Sequence, residues 1–141
     1  MPAPDFLDTN VLLYAYDPSD RRKQLIAHDL VRKAVAGHML VSTQVLAECA
    51  AVLLHKISPP AAPKQVTAIL DALAPIRVIL PDGDMVRRAV EAHAEYGVRF
   101  YDGMILAAAE RGRCQRIWSE DFNAGQKYFG IVVENPFQDA R

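Results

Sequence analysis

Short apolar runs bounded by turn residues alternate along this chain with longer stretches in which apolar positions recur every three or four residues. This alternation is the pattern of a parallel sheet covered by helices. It predicts strands near 5–7, 39–41, 77–80, 116–118 and 131–133, with helices filling the intervals. The segment from Asp17 reads as a helix with Asp17 at the N-cap, Pro18 at the first helical position and Gly37 as the stop. The next helix starts at Ser42 or Thr43 and runs to about Lys56. The proline-rich stretch at 58–63 and the Pro81-Asp82-Gly83 turn read as loops within one domain, because helical periodicity resumes directly beyond each. No internal repeat is visible.

The 141 residues suffice for one domain with a real core and are too few for two ordinary ones, so a single domain over 1–141 and a single site are expected. With 51% hydrophobic and 23% charged residues, the composition is that of a folded globular protein rather than a disordered one. A formal net charge of −1 supplies no global basic field of the kind a dedicated nucleic-acid binder carries. Cys49 and Cys114 form no CxxC pair and sit among aliphatic residues, which predicts buried, reduced thiols. His28, His38, His55 and His93 show no HxH or HxxxH spacing, so zinc chemistry has little support. The first residues lack a basic stretch followed by an apolar run, and no apolar segment approaches the ~20 residues of a bilayer span. A cytoplasmic protein without a membrane association is expected.

The chemistry concentrates in four acidic residues, Asp8, Glu48, Asp102 and Asp121, each inside or at the edge of an apolar segment. Carboxylates there are costly unless a cation compensates them. Two unit charges ~4 Å apart repel by roughly 4 kcal/mol at an effective dielectric near 20, so four carboxylates sharing a pocket call for protonation or a bound cation. Asp8 and Asp121 fall just past the carboxyl ends of predicted strands, where open α/β sheets bind ligands. Each acid also has a plainer reading. Asp8 can simply cap the following helix, and Asp102 can cap the apolar helix it opens. Glu48 shares a helical stripe with Val45, Cys49 and Val52, and its plainer reading is a buried ion pair or a carboxylate at the edge of the stripe. Ser119 and Asn123 flank Asp121 and can either orient a carboxylate or shape the turn.

In that order along the chain, the segments Leu7–Asp17, Ser42–Glu48, Tyr101–Ala109, Ser119–Gly125 and Val133–Phe137 together resemble the PIN-domain nucleases, and within them the VapC-type toxins of bacterial toxin–antitoxin pairs. The resemblance implies a three-layer α/β/α sandwich with a central parallel sheet, Mg²⁺ or Mn²⁺ as cofactor, hydrolysis of RNA, a homodimer and a cognate antitoxin protein as partner. The family's metal-site acids map onto Asp8, Glu48, Asp102 and Asp121, with Thr9 and Asn10 in the accompanying polar positions. Glu48 is the ambiguous member, either a ligand through water or the base that orients the attacking water. Some members carry a further acid where this chain has Asn123. That departure counts against tight binding of a second metal.

Substrate contacts are harder to read. Arg21, Arg22 and Lys23, the pair Arg87 and Arg88, Arg99, and Arg111, Arg113 and Arg116 are candidates for phosphate contacts, although most such clusters are solvated helix faces. Tyr14, Tyr16, Phe100 and Tyr101 could stack on unpaired bases or pack the core. A haloacid-dehalogenase phosphatase needs an acid two residues after its nucleophilic Asp, where Asn10 stands, and a phospho-receiver needs an acidic pair near the first strand. Neither fits. The rival that survives is a non-catalytic module binding RNA or protein through the same fold.

Overall fold

The structure, a computed structural model, describes residues 2–138. Its elements run β1 (Asp5–Leu7), α1 (Thr9–Tyr14), α2 (Arg21–Val35), β2 (Met39–Ser42), α3 (Thr43–His55), α4 (Pro63–Leu73), β3 (Arg77–Ile79), α5 (Gly83–Tyr96), α6 (Phe100–Arg111), β4 (Arg116–Trp118), β5 (Lys127–Tyr128) and β6 (Ile131–Glu134). The strands form one sheet in the order β3-β2-β1-β4-β6-β5. All neighbours are parallel except the β5–β6 pair. Every residue of β1 and β2 is buried. Side chains alternate across a strand, so burial of consecutive residues requires cover on both faces and makes this an α/β/α sandwich.

The chain leaves β1 toward β2 and β3 on one side, then returns to β4 and β6 on the other. The order therefore reverses between β1 and β4, which open a crevice at their carboxyl ends. Asp8 follows β1 there, and its amide donates to the carbonyl of Trp118, the last residue of β4. The core beneath is apolar, with Phe6, Leu7, Val41, Leu106, Ile117 and Val133 fully buried. Cys49 and Cys114 are buried free thiols, and burial pushes them up to about 11 and about 12, so they stay protonated at neutral pH.

Four local expectations need correction. The second helix takes Asp20, not Asp17, as its N-cap, because the Asp20 carboxylate accepts from the Lys23 amide at 3.1 Å. Asp17 instead accepts from the Ser19 amide and closes the preceding turn. That helix also ends at Val35, two residues before Gly37. The apolar helix α6 begins at Phe100 with Arg99 at its N-cap, so Asp102 lies inside the first turn and caps nothing. Strand β5 was not anticipated: Tyr128 and Ile131 pair across a two-residue turn in which Phe129 and Gly130 both have positive φ, the conformation of a tight hairpin.

Two helices hold the site from opposite sides. In α3, Ser42 caps the first turn through the Val45 amide, and the buried stripe of Val45, Cys49 and Leu53 fixes the rotation that leaves Glu48 half-buried at the edge. In α6, every residue from Gly103 to Ala109 is buried. A Cβ on Gly103 would lie 2.7 Å from the carbonyl oxygen of Ala89 in α5, so the two backbones touch just after Asp102.

Candidate active site

Asp8, Glu48, Asp102 and Asp121 come from four separate segments and converge at the β1/β4 crevice. Thr9, Glu48, Asp102 and Asp121 line a cleft of about 540 Å³ together with Lys56, Arg99, Phe100 and Tyr101. Asp8 lies behind that lining, with 4% of its surface exposed. One of its oxygens accepts from the Thr9 amide and the other from the Ser119 hydroxyl, both at 2.7 Å. It thus caps α1 and faces the crevice at once. Thr9 also donates its hydroxyl to Glu48 at 3.0 Å, which ties α1 to α3.

Burial pushes the Asp8 carboxyl up to about 7; Ser119 and the Thr9 amide oppose the rise, and the charges of Asp121 and Asp102 add to it. Asp102 is likewise raised, mainly by burial, with Arg99 opposing and Asp121 and Glu48 adding. These mutual repulsions are the electrostatic sign that the acids share one site.

The donor set is all oxygen and carries no soft ligand, which suits a hard divalent cation such as Mg²⁺ or Mn²⁺. Among the described residues, however, no three His, Cys, Asp or Glu side chains are gathered into a group that could hold an ion as they stand. The reason is visible in their partners. Glu48 receives the Gln44 amide at 2.6 Å and the Thr9 hydroxyl, while Asp102 sits 3.5 Å from Arg99. The two carboxylates are thus bonded to protein donors, and the all-oxygen donor set fits a hard cation by its chemistry.

The accompanying residues divide. Ser119 is fully buried and receives the Asp121 amide at 3.0 Å while donating to Asp8, so it joins the two acids. Asn10 accepts from the Glu120 amide at 3.2 Å, and its side-chain nitrogen is buried without a partner. Asn123 points elsewhere: exposed, it donates to Gln126 and shapes the turn.

Several of the cationic candidates are committed to partners within the protein. Arg88 binds Glu91 and Glu110 and stacks 3.6 Å from the Phe129 ring centroid. Arg111 binds Asp82, Arg116 binds Asp5 and Glu134, and Arg21 binds Gln24. Arg87 and Arg113 are exposed but do not line the cleft. Of the arginines considered, Arg99 alone lines it, and Lys56 joins it from α3's end. Of the aromatic candidates, Tyr101 is 68% exposed at the cleft and Phe100 is half-buried beside it. Tyr14 is bonded to Glu120, and Tyr16 packs on the core.

Sequence reasoning passed over Lys56, Gln44 and Glu120. Gln44 bridges Glu48 to the Tyr101 carbonyl and so couples α3 to α6, and its i,i+4 spacing from Glu48 was a readable signal. The Tyr14 and Lys23 partners of Glu120 lie 106 and 97 residues away in the chain, beyond any local pattern.

The comparisons with known proteins agree with this fold. No curated protein matches the chain. Among solved structures, it is similar to a toxin–antitoxin complex from Klebsiella pneumoniae at 19% identity and a TM-score of 0.67, over 94% of this chain and 97% of that one. It is similar to VapC20 of Mycobacterium tuberculosis, described as a sarcin-ricin loop cleaving toxin, at 18% identity and 0.64, over 83% and 89%. VapBC2 of Rickettsia felis, bound to a DNA fragment from its promoter, matches at 17% identity and 0.65, over 93% and 97%. At these identities the likeness establishes the fold. The sequence profile of the PIN domain matches residues 6–129, most of the chain, and with that match the chain belongs to the PIN domain family.

Proposed function

We propose that this protein is a metal-dependent endoribonuclease and the toxin of a toxin–antitoxin pair, acting on RNA in the cytoplasm. The observation that carries the reading is the convergence of Asp8, Glu48, Asp102 and Asp121 on the β1/β4 crevice, where two of them are pushed toward protonation by burial and by one another. PIN nucleases generally use divalent metals. Asp8, Asp102 and Asp121 would hold Mg²⁺ or Mn²⁺ and Glu48 would join them through water or act as the base. Bound there, the cation supplies Lewis acidity toward water and phosphate oxygen. Glu48, held by Gln44 and Thr9 at the cleft, is the carboxylate that would take a proton from attacking water. Ser119 keeps Asp8 and the Asp121 backbone in register. Lys56 and Arg99 supply positive charge for phosphates of the strand, and Tyr101 offers an exposed ring to an unpaired base.

The toxin assignment and a cognate antitoxin draw support from neighbours that are themselves described as toxin–antitoxin complexes. A homodimer follows from the family resemblance. The rival, a non-catalytic module binding RNA or protein, draws on the engagement of Glu48 by Gln44 and Thr9 and of Asp102 by Arg99. One preparation separates them. RNA cleavage that disappears in EDTA and returns with Mn²⁺, with the domain folded throughout, supports the nuclease; undiminished cleavage in metal-free buffer rejects metal dependence, and RNA binding without cleavage under any metal supports the module. Expression of the chain alone should arrest growth, and expression of Asp8→Asn at the same level should not.

A further inference from the structure

The cleft's most exposed acid is also the one with least side-chain support. Asp121 is exposed, and no described residue donates to its carboxylate. Its position must therefore come from its backbone, and the residue before it is held from three directions. The Glu120 amide donates to Asn10 Oδ1 at 3.2 Å. One oxygen of the Glu120 carboxylate receives the Tyr14 hydroxyl at 2.8 Å, and the other pairs with Lys23. Lys23 further donates to the Tyr14 hydroxyl at 3.2 Å and lies 4.7 Å from the centre of the Tyr14 ring. Tyr14 meets Phe137 edge to face at 5.0 Å. The segment carrying Asp121 is thus fastened to α1 through Asn10 and Tyr14 and to the first turn of α2 through Lys23.

We propose that Glu120 is a positioning residue whose clamp by Lys23 and Tyr14 holds Asp121 ready for the cation; the proposal rests on the metal-nuclease reading above. A loop carboxylate free to wander loses conformational freedom when it captures an ion, and fixing it beforehand removes that cost from binding. An ordinary exposed ion pair contributes little. This one is only a quarter exposed on each side, is shared with a phenol, and sits one residue from the cleft. Partners behind metal ligands typically govern affinity by ~10–100-fold.

The sign of the effect at Lys23 provides the test. Lys23→Met removes a positive charge near the acids, so a pure field effect would tighten cation binding, whereas loss of the clamp weakens it. Mn²⁺ titrated calorimetrically into folded protein should bind ~10-fold more weakly to Lys23→Met and to Glu120→Gln, with the double variant no weaker than either single one. Lys23→Arg should recover most of the loss. Tyr14→Phe provides a milder second disturbance if a larger one fails to fold, and it should weaken binding in the same direction. Tighter or unchanged Mn²⁺ binding by Lys23→Met or by Tyr14→Phe overturns the clamp. Asp121→Asn serves as the reference: unchanged affinity there overturns the metal site itself, while a loss there with none in the clamp variants overturns only the role of Glu120.

Discussion

Asp8 and Asp82 do the same local job with opposite electrostatics. Each precedes a helix in extended conformation and accepts hydrogen bonds from the first turn. Asp82 lies on the surface, where the Arg111 guanidinium and the Met85 amide hold its carboxyl below the ordinary value. Asp8 is buried at the crevice, receives only neutral donors and faces Asp121 and Asp102, so its carboxyl is pushed up to about 7. Helix capping and the Arg111 pair therefore account for Asp82, whereas capping accounts for Asp8 only in part. The surplus at Asp8 comes first from burial and then from the charges of Asp121 and Asp102, the combination of perturbations by which candidate functional sites are recognised.

The sharpest way to break the comparison is to neutralise both. Asp8→Asn should lower RNA turnover by at least ~10²-fold, as should Asp102→Asn and Glu48→Gln, the scale of losing a charged group that acts on the transition state. Asp82→Asn should leave turnover within about twofold, since it lies outside the cleft. Steady-state cleavage of one RNA by all four variants, with far-UV circular dichroism to verify folding, makes the measurement. Wild-type rates in both Asp8→Asn and Asp102→Asn would place the site elsewhere.

Stability against pH should separate the two caps next. Below pH about 4, Asp8 is neutral whether the chain is folded or unfolded. As pH rises to about 7, the unfolded chain releases this proton while the folded chain keeps it, so metal-free protein loses stability across that window and levels off above it. The loss attributable to Asp8 is on the order of 4 kcal/mol at ~1.4 kcal/mol per pH unit. Chemical denaturation from pH 4 to 8 should show that slope in wild type, little of it in Asp8→Asn, and relief by Mn²⁺ at the alkaline end. A slope that persists undiminished in Asp8→Asn would assign it to another group.

Ser119→Ala sharpens the contrast further by removing the hydroxyl that opposes the upward shift of Asp8. Stability at neutral pH should fall by ~1–3 kcal/mol, the cost of leaving a buried acceptor unsatisfied, and the midpoint of the Asp8 window should move to higher pH. The smallest effect belongs to Arg111→Gln. A depressed carboxyl gives stability that is present above its unfolded value and fades as pH falls through the folded one, so losing Arg111 should remove a small stabilisation at pH 7, flatten the acid limb below pH about 4 and leave stability in strong acid unchanged.

The elements that sequence made legible were those with repeated signals. All five parallel strands carry apolar runs, and the α3 boundaries follow from Ser42 and the stripe through Val45 and Cys49. The two-residue strand β5 has too little length for any periodicity, and its turn of Phe129 and Gly130 lacks the usual Asn or Asp. The choice between Asp17 and Asp20 as a cap turns on one backbone rotation that the segment Asp17-Pro18-Ser19-Asp20 leaves open. At the site, the four acids stand out because each interrupts or borders an apolar segment. Which neighbouring polar group serves them depends on tertiary direction: Ser119 turns inward to Asp8, while Asn123, four residues on, bonds within its own turn. The arginine clusters looked alike in sequence, and only folding shows that Glu110, Asp82 and Asp5 claim three of them.

The contact between Gly103 and the Ala89 carbonyl has an evolutionary consequence. A side chain at 103 would meet main-chain atoms, and the two nearest after the carbonyl oxygen also belong to the Ala89 backbone, at 3.1 and 3.2 Å. No replacement at position 89 can make room, because every amino acid brings the same carbonyl. Most packing constraints between helices can be renegotiated by paired substitutions, one residue growing as its neighbour shrinks. This one can be escaped only by moving one helix away from the other, and any movement of α6 carries Asp102 with it. Substitutions that reshape the cleft while leaving Asp102 in place are therefore easier at the α3 side, which Ala51 and Lys56 line, than at the α5/α6 seam.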